Sequence, residues 1–373
     1  MSHSDFLIIG GGVIGMMTAW QLADAGHSVT LLERGQCGRE ASWAGGGILS
    51  PLYPWRYGEP VNRLAHWSIQ AYPQLARRLT EETGINPEYR RKGMLYLEVS
   101  DEPLALQWAC HQETVMQRTG GDFIHALEPQ LAAGFREALW LPELASIRNP
   151  RLCRALRSRL LSLPRVRLHE GQAVEGLLHS HRRVRGVRTR DADHQAGAIL
   201  LCAGAWSGAL LADAGLALPV RPVKGQMMLF RTRPVAGQPL LDRVVMHDDR
   251  YLIPRTDGRL LVGSTLEHSG FDKTTTEEAR RSLWQSAVAL LPALSECTIE
   301  HHWAGLRPGS DDGIPLIGAL PGWEGLFVNA GHFRNGLTLA PAASRLLADQ
   351  LLGRSPIIDA APFAPAARMA TAG

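Results

Sequence analysis

An α/β fold with a doubly wound parallel sheet, joined to an α+β unit carrying an antiparallel sheet, follows from three features of the 373-residue chain. A strand–glycine turn–helix–strand unit opens it. Short continuous apolar runs, which suit strands buried on both faces, recur later between helical stretches. Residues 219–267 then carry successive strands with no helix between them. The length exceeds what one hydrophobic core usually supports, so two or more domains are expected.

The elements run as follows. Phe6-Leu-Ile-Ile9 is the first strand, Gly10 to Gly15 the turn, and Met16 to Ala25 a helix stopped by Gly26. Ser28 to Glu33 is a second strand ending in an acid, completing β-α-β in roughly thirty residues. Residues 61–84 and 102–119 are expected to be helical. Asn149-Pro150 suits an N-cap with proline at the first helical position, and Leu152, Ala155, Leu156 and Leu160 follow at helical spacing. Strands are expected at Val166 to His169, Arg183 to Arg188, Ala198 to Ala203, Gly225 to Arg231, Tyr251 to Pro254 and Leu260 to Ser264. From Trp303 the chain is punctuated by glycine, then forms a strand at Leu326 to Ala330 and a helix from about Leu337 to Leu352. The division expected is 1–85, 146–218 and 303–357 for a nucleotide-binding domain. Residues 86–145 and 219–302 form a substrate domain, and 358–373 a poorly ordered tail.

Composition narrows the function. Apolar residues at 45% and charged ones at 20% support a packed core, and a net charge of +3 is too balanced for a dedicated nucleic-acid binder. The arginines at 182–190 alternate with Val184, Gly186 and Val187, as on the solvated side of a hairpin. Cys37, Cys110, Cys153, Cys202 and Cys297 are scattered, so neither disulfides nor a zinc site is expected, and a reducing, cytoplasmic setting fits. Met1 to Asp5 has no basic n-region, and no stretch reaches about eighteen apolar residues, so neither a signal peptide nor membrane contact is expected.

Gly10-x-Gly12-x-x-Gly15 is the strongest local signal. Its glycines allow a tight turn, backbone approach to a pyrophosphate and close helix–strand packing, with the helix N-terminus favouring negative charge. Glu33, eighteen residues after Gly15, can accept hydrogen bonds from ribose hydroxyls and disfavours a 2′-phosphate. The plain alternative is a glycine loop in an ordinary βαβ unit. The acid at the strand end favours a dinucleotide, FAD or NAD remaining open on these residues. Gly45-Gly46-Gly47, flanked by Trp43, Ile48 and Leu49, offers bare backbone to a flat or anionic group, a flexible linker being the alternative. Arg334 precedes the last helix, where it can make a bidentate carboxylate contact with positive helix potential behind it. Arg307 and Tyr251 are further candidates, although each taken singly suits a structural role. Gly204-Ala-Trp-Ser207-Gly208 is out of register for a nucleophile elbow, and His301-His302 lacks metal-spaced partners, so no metal is expected.

Ile8 to Gly15, Glu33, Trp43 to Pro51, Pro222-Val-Lys-Gly-Gln226, Tyr251 to Arg255, Trp303 to Gly309 and Gly331-His-Phe-Arg-Asn-Gly336 together resemble the glycine-oxidase (ThiO-like) branch of the D-amino-acid oxidase family. That branch includes enzymes of thiamine biosynthesis. The resemblance runs from residue 5 to about 352. It implies non-covalent FAD in a Rossmann-like domain assembled from discontinuous segments. It also implies oxidation of small amino acids or secondary amines (glycine, sarcosine, small D-amino acids). Hydride passes from Cα to flavin N5, giving an imine, then an oxo acid, ammonia or amine, and hydrogen peroxide. Molecular oxygen is the acceptor; a homo-oligomer stays open.

Carried over by position, Arg334 pairs with the substrate carboxylate, with Tyr251 and Arg307 assisting. FAD is held by Gly10, Gly12, Val13, Ile14, Gly15, Glu33, Arg34, Ala41, Ser42, Gly46, Gly47 and Ile48. Ala173 and Val174 on the adenine side, Ala203, Gly204 and Trp206 complete this part. The last loop adds Gly331, His332, Phe333, Asn335, Gly336, Leu337 and Thr338. No cysteine lies near Arg307 or in residues 331–336 to bond the flavin covalently. Asp249 stands where the family has a histidine, and Leu266 where it has a methionine. Both belong to the expected substrate pocket, and the extra carboxylate disfavours an anionic ligand. The rivals are a dehydrogenase of the same fold using a quinone or carrier, a flavin-bound interaction protein without turnover, and an NAD dehydrogenase.

Overall fold

The structure is a computed structural model that describes residues 3–212 and 214–369. Strand β1 (His3–Ile9), helix α1 (Val13–Asp24) and strand β2 (Val29–Glu33) form the opening unit. β1 and β2 pair in parallel from Phe6↔Val29 to Ile9↔Leu32. β1 pairs on its other side with the strand Asp193–Leu201, and β2 with Val166–Glu170, both parallel. Leu326–Ala330 extends this run beside Asp193–Leu201, and Leu316–Ala319 closes that edge antiparallel.

Central strands buried on both faces explain why their sequences are continuous apolar runs rather than alternating ones. One face carries α1, the helix Glu59–Thr83, the helix Asn149–Ser162 and the helix Gly336–Leu351, sharing a core with Ile8, Leu31 and Leu200. α1 buries Val13, Ile14, Met16, Met17, Ala19, Trp20, Leu22 and Ala23, so it has no wide polar face. The other face packs under the hairpin Val174–Ser180 and Arg183–Thr189 and the short helix Ser207–Ala212. The hairpin's arginines 183, 185 and 188 are exposed between buried Val184 and Val187.

A second eight-stranded sheet runs in the order Thr298–Gly309, Arg221–Arg231, Arg259–Gly263, Arg250–Pro254, Val244–His247, Met94–Leu97, Glu137–Leu141 and Gln117–Gly120. All its pairings are antiparallel except Val244–His247 with Met94–Leu97.

Four local expectations are corrected. The helix expected to reach 119 ends at His111, because Gln117–Gly120 pairs with Glu137–Trp140 at the sheet edge. The glycine-punctuated chain from Trp303 is one strand, Thr298–Gly309, paired along its length with Arg221–Arg231. The boundary expected at 303 therefore falls inside a strand. Asn149 does not cap its helix; Arg148 holds that position, and the Asn149 amide faces the glycine loop instead.

The tail is not loose where it is described. Residues 361–363 and 365–367 form short turns, Phe363 is buried, and Arg368 donates to the Ile314 carbonyl at 2.6 Å. Residues 370–373, the end of the expected tail, lie outside the described part. Burying an aromatic ring against the helical layer should contribute substantially. Phe363→Ala is expected to cost about 3 kcal/mol, read as a lower urea midpoint of unfolding.

Candidate active site

One cavity of about 480 Å³ runs from the glycine turn to the ends of Arg307 and Arg334, drawing its wall from both sheets. At the first end, Gly10 has φ +108°, and a Cβ there would lie 2.5 Å from the Cys202 carbonyl oxygen. A Cβ on Gly15 would lie 1.9 Å from the Gly10 carbonyl oxygen, so Gly15 packs helix against strand and does not itself line the cavity. Gly12, Val13 and Ile14 present the first turn of α1 to the cavity, and the Val13 N–H donates to Ser42 Oγ at 2.9 Å. The buried Glu33 carboxylate accepts from the Gly11 and Gly35 N–H groups, each at 2.8 Å. Two backbone donors leave lone pairs for further hydroxyl donors. Beyond Glu33 the wall holds Arg34, whose guanidinium sits 3.6 Å from the centre of the Trp206 ring, with Ala173, Val174, Ala203 and Gly204.

The middle of the cavity is built by the triple-glycine loop, which is not a linker. It follows the short helix α2 (Ala41–Ala44), whose Ala41 and Ser42 line the wall. Arg255 donates to the Gly46 carbonyl at 2.7 Å and the Ile147 carbonyl at 3.1 Å. Burial pushes its guanidinium down to about 10, which still leaves it charged at neutral pH. Gly47 has φ +85°, and a Cβ would lie 2.0 Å from the Ile147 carbonyl oxygen. Trp303 Nε1 donates to the Ala44 carbonyl at 3.1 Å, and Thr338 Oγ1 to the Ile48 carbonyl at 3.0 Å. The loop is thereby tied to the antiparallel sheet and to the last helix.

At the far end, Arg334 stands in the single turn Phe333–Asn335, directly before the helix Gly336–Leu351. Its side chain is 20% exposed, its Nε is buried without a hydrogen-bond partner, and its nearest anion is Asp249 Oδ1 at 3.8 Å. Arg307 differs. It is buried against the backbone, donating to the Lys224 and Thr265 carbonyls at 3.2 Å each and to Ser264 Oγ at 2.8 Å. Burial, reinforced by the nearby Arg334 charge, lowers its pKa. Gly225 opens the hollow that receives it, since a Cβ there would lie 2.1 Å from the guanidinium, while its pair Gly305 makes room for Ala44. Tyr251 is buried, and its hydroxyl donates to Met227 Sδ at 3.3 Å, a weak acceptor. His332 lines the cavity with Nε2 unpartnered, and burial pushes it down to about 3, so it is neutral.

The remaining expected residues divide. Gly46, Gly47, Ile48, Phe333, Gly336, Leu337 and Thr338 line the cavity, whereas Gly331 and Asn335 do not. Gly331 has φ +81° and turns the chain, its carbonyl accepting from Ser310 Oγ. Leu266 is 43% exposed and stands outside the wall, because the chain leaves its strand at Gly263. Asp249 is also outside the wall, in the turn before Arg250–Pro254, and only its carboxylate reaches Arg334. Sequence reasoning missed Asn149, Gly225, Met227, Ser264 and Gly305. Residues 225 and 227, and 305 and 307, share the period-2 face of their strands. That signal could have found them once Arg307 was assigned to the site.

The profile of the DAO family of FAD-dependent oxidoreductases matches residues 5–350. A glycine oxidase from Pseudomonas aeruginosa is 52% identical, over 97% of this chain and 99% of its own. The crystal structure of glycine oxidase from Geobacillus kaustophilus superposes with TM-score 0.91 at 31% identity, covering 98% of each chain. That of iminodiacetate oxidase from Chelativorans superposes with TM-score 0.87 at 27% identity, covering 96% of this chain and 98% of that one.

The residues present fit an FAD. A bare-backbone turn leads into a helix N-terminus, the Glu33 carboxylate keeps acceptor capacity, and the cavity-lining Asn149 has an unpartnered buried Oδ1. Arg255 holds the glycine loop against that space. Arg255→Ala is expected to raise the FAD dissociation constant about tenfold, measured by quenching of flavin fluorescence on titrating the apoprotein.

Proposed function

This chain belongs to the DAO family of FAD-dependent oxidoreductases, and from that premise we propose that it oxidises small amino acids or secondary amines bearing one carboxylate, glycine and sarcosine foremost. The observation that carries the reading is Arg334: a guanidinium at the cavity end, with an orphaned Nε and no carboxylate within hydrogen-bond distance. Such a group is costly to bury unless a ligand completes it.

The bound flavin supplies the chemistry, accepting a hydride from the amine carbon and returning the electrons to oxygen as peroxide. The chain's residues bind and orient. Arg334 takes the substrate carboxylate in a two-pronged contact, supported by the positive end of the helix behind it. Tyr251, whose hydroxyl donates to a thioether beside Arg307, adds a second contact to that carboxylate. Arg307 has three of its five N–H donors on protein oxygens, so its part is to shape the floor beside Gly225 and add positive potential. Because the hydrogen would leave carbon together with its electron pair, no protein base is required there, in keeping with a cavity-lining His332 that burial makes a poor proton acceptor. Asp249 lies at the rim, so a second substrate carboxylate would meet a like charge. The five cysteines, all unpaired, suit a reducing compartment, and the cytoplasm is the proposed location. No helix among the described residues is long and apolar enough to cross a membrane.

Peroxide release over a panel of glycine, sarcosine, small D-amino acids and iminodiacetate tests the substrate class. Stopped-flow mixing of the reduced enzyme with oxygen tests the acceptor. Arg334→Ala is expected to lower kcat/KM for the best amine by about 100- to 1000-fold while FAD remains bound, as loss of a buried charge partner implies. Turnover surviving within a few-fold would remove the anchor role. Asp249→Asn should raise kcat/KM for iminodiacetate relative to sarcosine by roughly tenfold, the scale of one relieved like-charge contact.

A further inference from the structure

The Pro222-Val-Lys-Gly-Gln226 motif places a charged and an amide side chain in the interior of the strand Arg221–Arg231, and the substrate chemistry uses neither. The Lys224 side chain is only 3% exposed. Its ammonium donates to Asp272 at 3.2 Å and to the Thr274 carbonyl at 3.1 Å, and it pairs with Glu267 at 3.1 Å. Gln226 Nε2 donates to Glu267 at 2.9 Å, and the Thr276 N–H donates back to Gln226 Oε1 at 3.0 Å. All these partners lie in the irregular segment 265–276, between the strand Arg259–Gly263 and the helix Glu277–Leu290. A buried ammonium with two carboxylates is expensive to assemble and destabilising to break, so it pins the segment firmly.

From that anchor the segment reaches the turn Gly204–Trp206 and the start of α2. The Phe271 ring, 47% exposed, stacks on Trp206 with centroids 5.7 Å apart and planes at 26°. Lys273 Nζ pairs with Glu40 at 2.9 Å. Trp206 and Glu40 both line the cavity near Arg34, at its dinucleotide end, whereas Phe271 and Lys273 do not. The segment thus touches the wall from outside.

We propose that residues 265–276 form a clasp, anchored by Lys224 and Gln226, that holds Trp206 and Glu40 over the bound dinucleotide and sets the rate at which FAD leaves. Lys224, Gln226, Phe271 and Lys273 are positioning residues for cofactor retention, independent of which amine is oxidised. An aromatic stack and a partly exposed ion pair each slow release a few-fold, and together on the order of tenfold. Phe271→Ala with Lys273→Glu should therefore release FAD about ten times faster from diluted holoenzyme, followed by recovery of free-flavin fluorescence. The apoprotein's urea midpoint, and kcat and KM at saturating FAD, should stay within twofold of the parent values. Lys273→Arg, which keeps the contact to Glu40, should release FAD at the parent rate. An unchanged release rate in the double variant overturns the clasp. Faster release with a matching fall in the apoprotein midpoint also overturns it, since that is general destabilisation. Loss of amine turnover in the parent enzyme would bear on the proposed substrate and leave this result readable.

Discussion

Buried guanidinium groups need oxygen partners, and this site depends on how those partners are distributed. Arg255 donates to the Gly46 and Ile147 carbonyls, and Arg307 to the Lys224 and Thr265 carbonyls and Ser264. Both are thereby part of the scaffold. Arg334 has an orphaned Nε and its nearest carboxylate at 3.8 Å. Three arginines of the same chemistry therefore divide into two that hold backbone in place and one that can hold a ligand. The ligand-binding role is a matter of what the neighbours leave unsatisfied.

Bare backbone is the second constraint. Where the wall must come close, a side chain would collide. A Cβ on Gly10 would meet the Cys202 carbonyl, one on Gly47 the Ile147 carbonyl, and one on Gly225 the Arg307 guanidinium. Gly47 permits approach without mobility, because carbonyls on either side of it, at Ala44, Gly46 and Ile48, are held by Trp303, Arg255 and Thr338. A rigid wall loses little conformational freedom when a flat cofactor binds, which favours tight binding over adaptable binding.

The two sheets are joined by specific contacts at several points. α2 lies against the strand Thr298–Gly309 through the Trp303 indole and the close approach of Gly305 to Ala44. The segment 265–276 supplies a second connection on the dinucleotide side. Both ends of the cavity are thus sensitive to how the antiparallel sheet seats on the parallel one. An iminodiacetate oxidase shares the architecture at 27% identity, so one fold serves different amines among these relatives.

The sequence alone determined the opening β-α-β unit, the parallel and antiparallel parts, and the glycine turn and Glu33 at one end of the cavity. Those features are local: a strand's apolar run, a glycine turn and a carboxylate at fixed spacing carry their own physical reasons. The family resemblance added Arg34, Ser42, Ala173, Val174 and the rest of the loop around 332–338 by motif. Only the tertiary structure decided the rest. Whether 102–119 stays helical depended on a distant strand, Glu137–Leu141, being available to pair with Gln117–Gly120. Gly225, Gly305 and Arg307 form one floor because two strands about eighty residues apart align in register. The separate fates of Arg255, Arg307 and Arg334, and the exposure of Leu266, depend on which carbonyls and side chains folding brings within a few ångströms, and spacing along the chain holds no record of that.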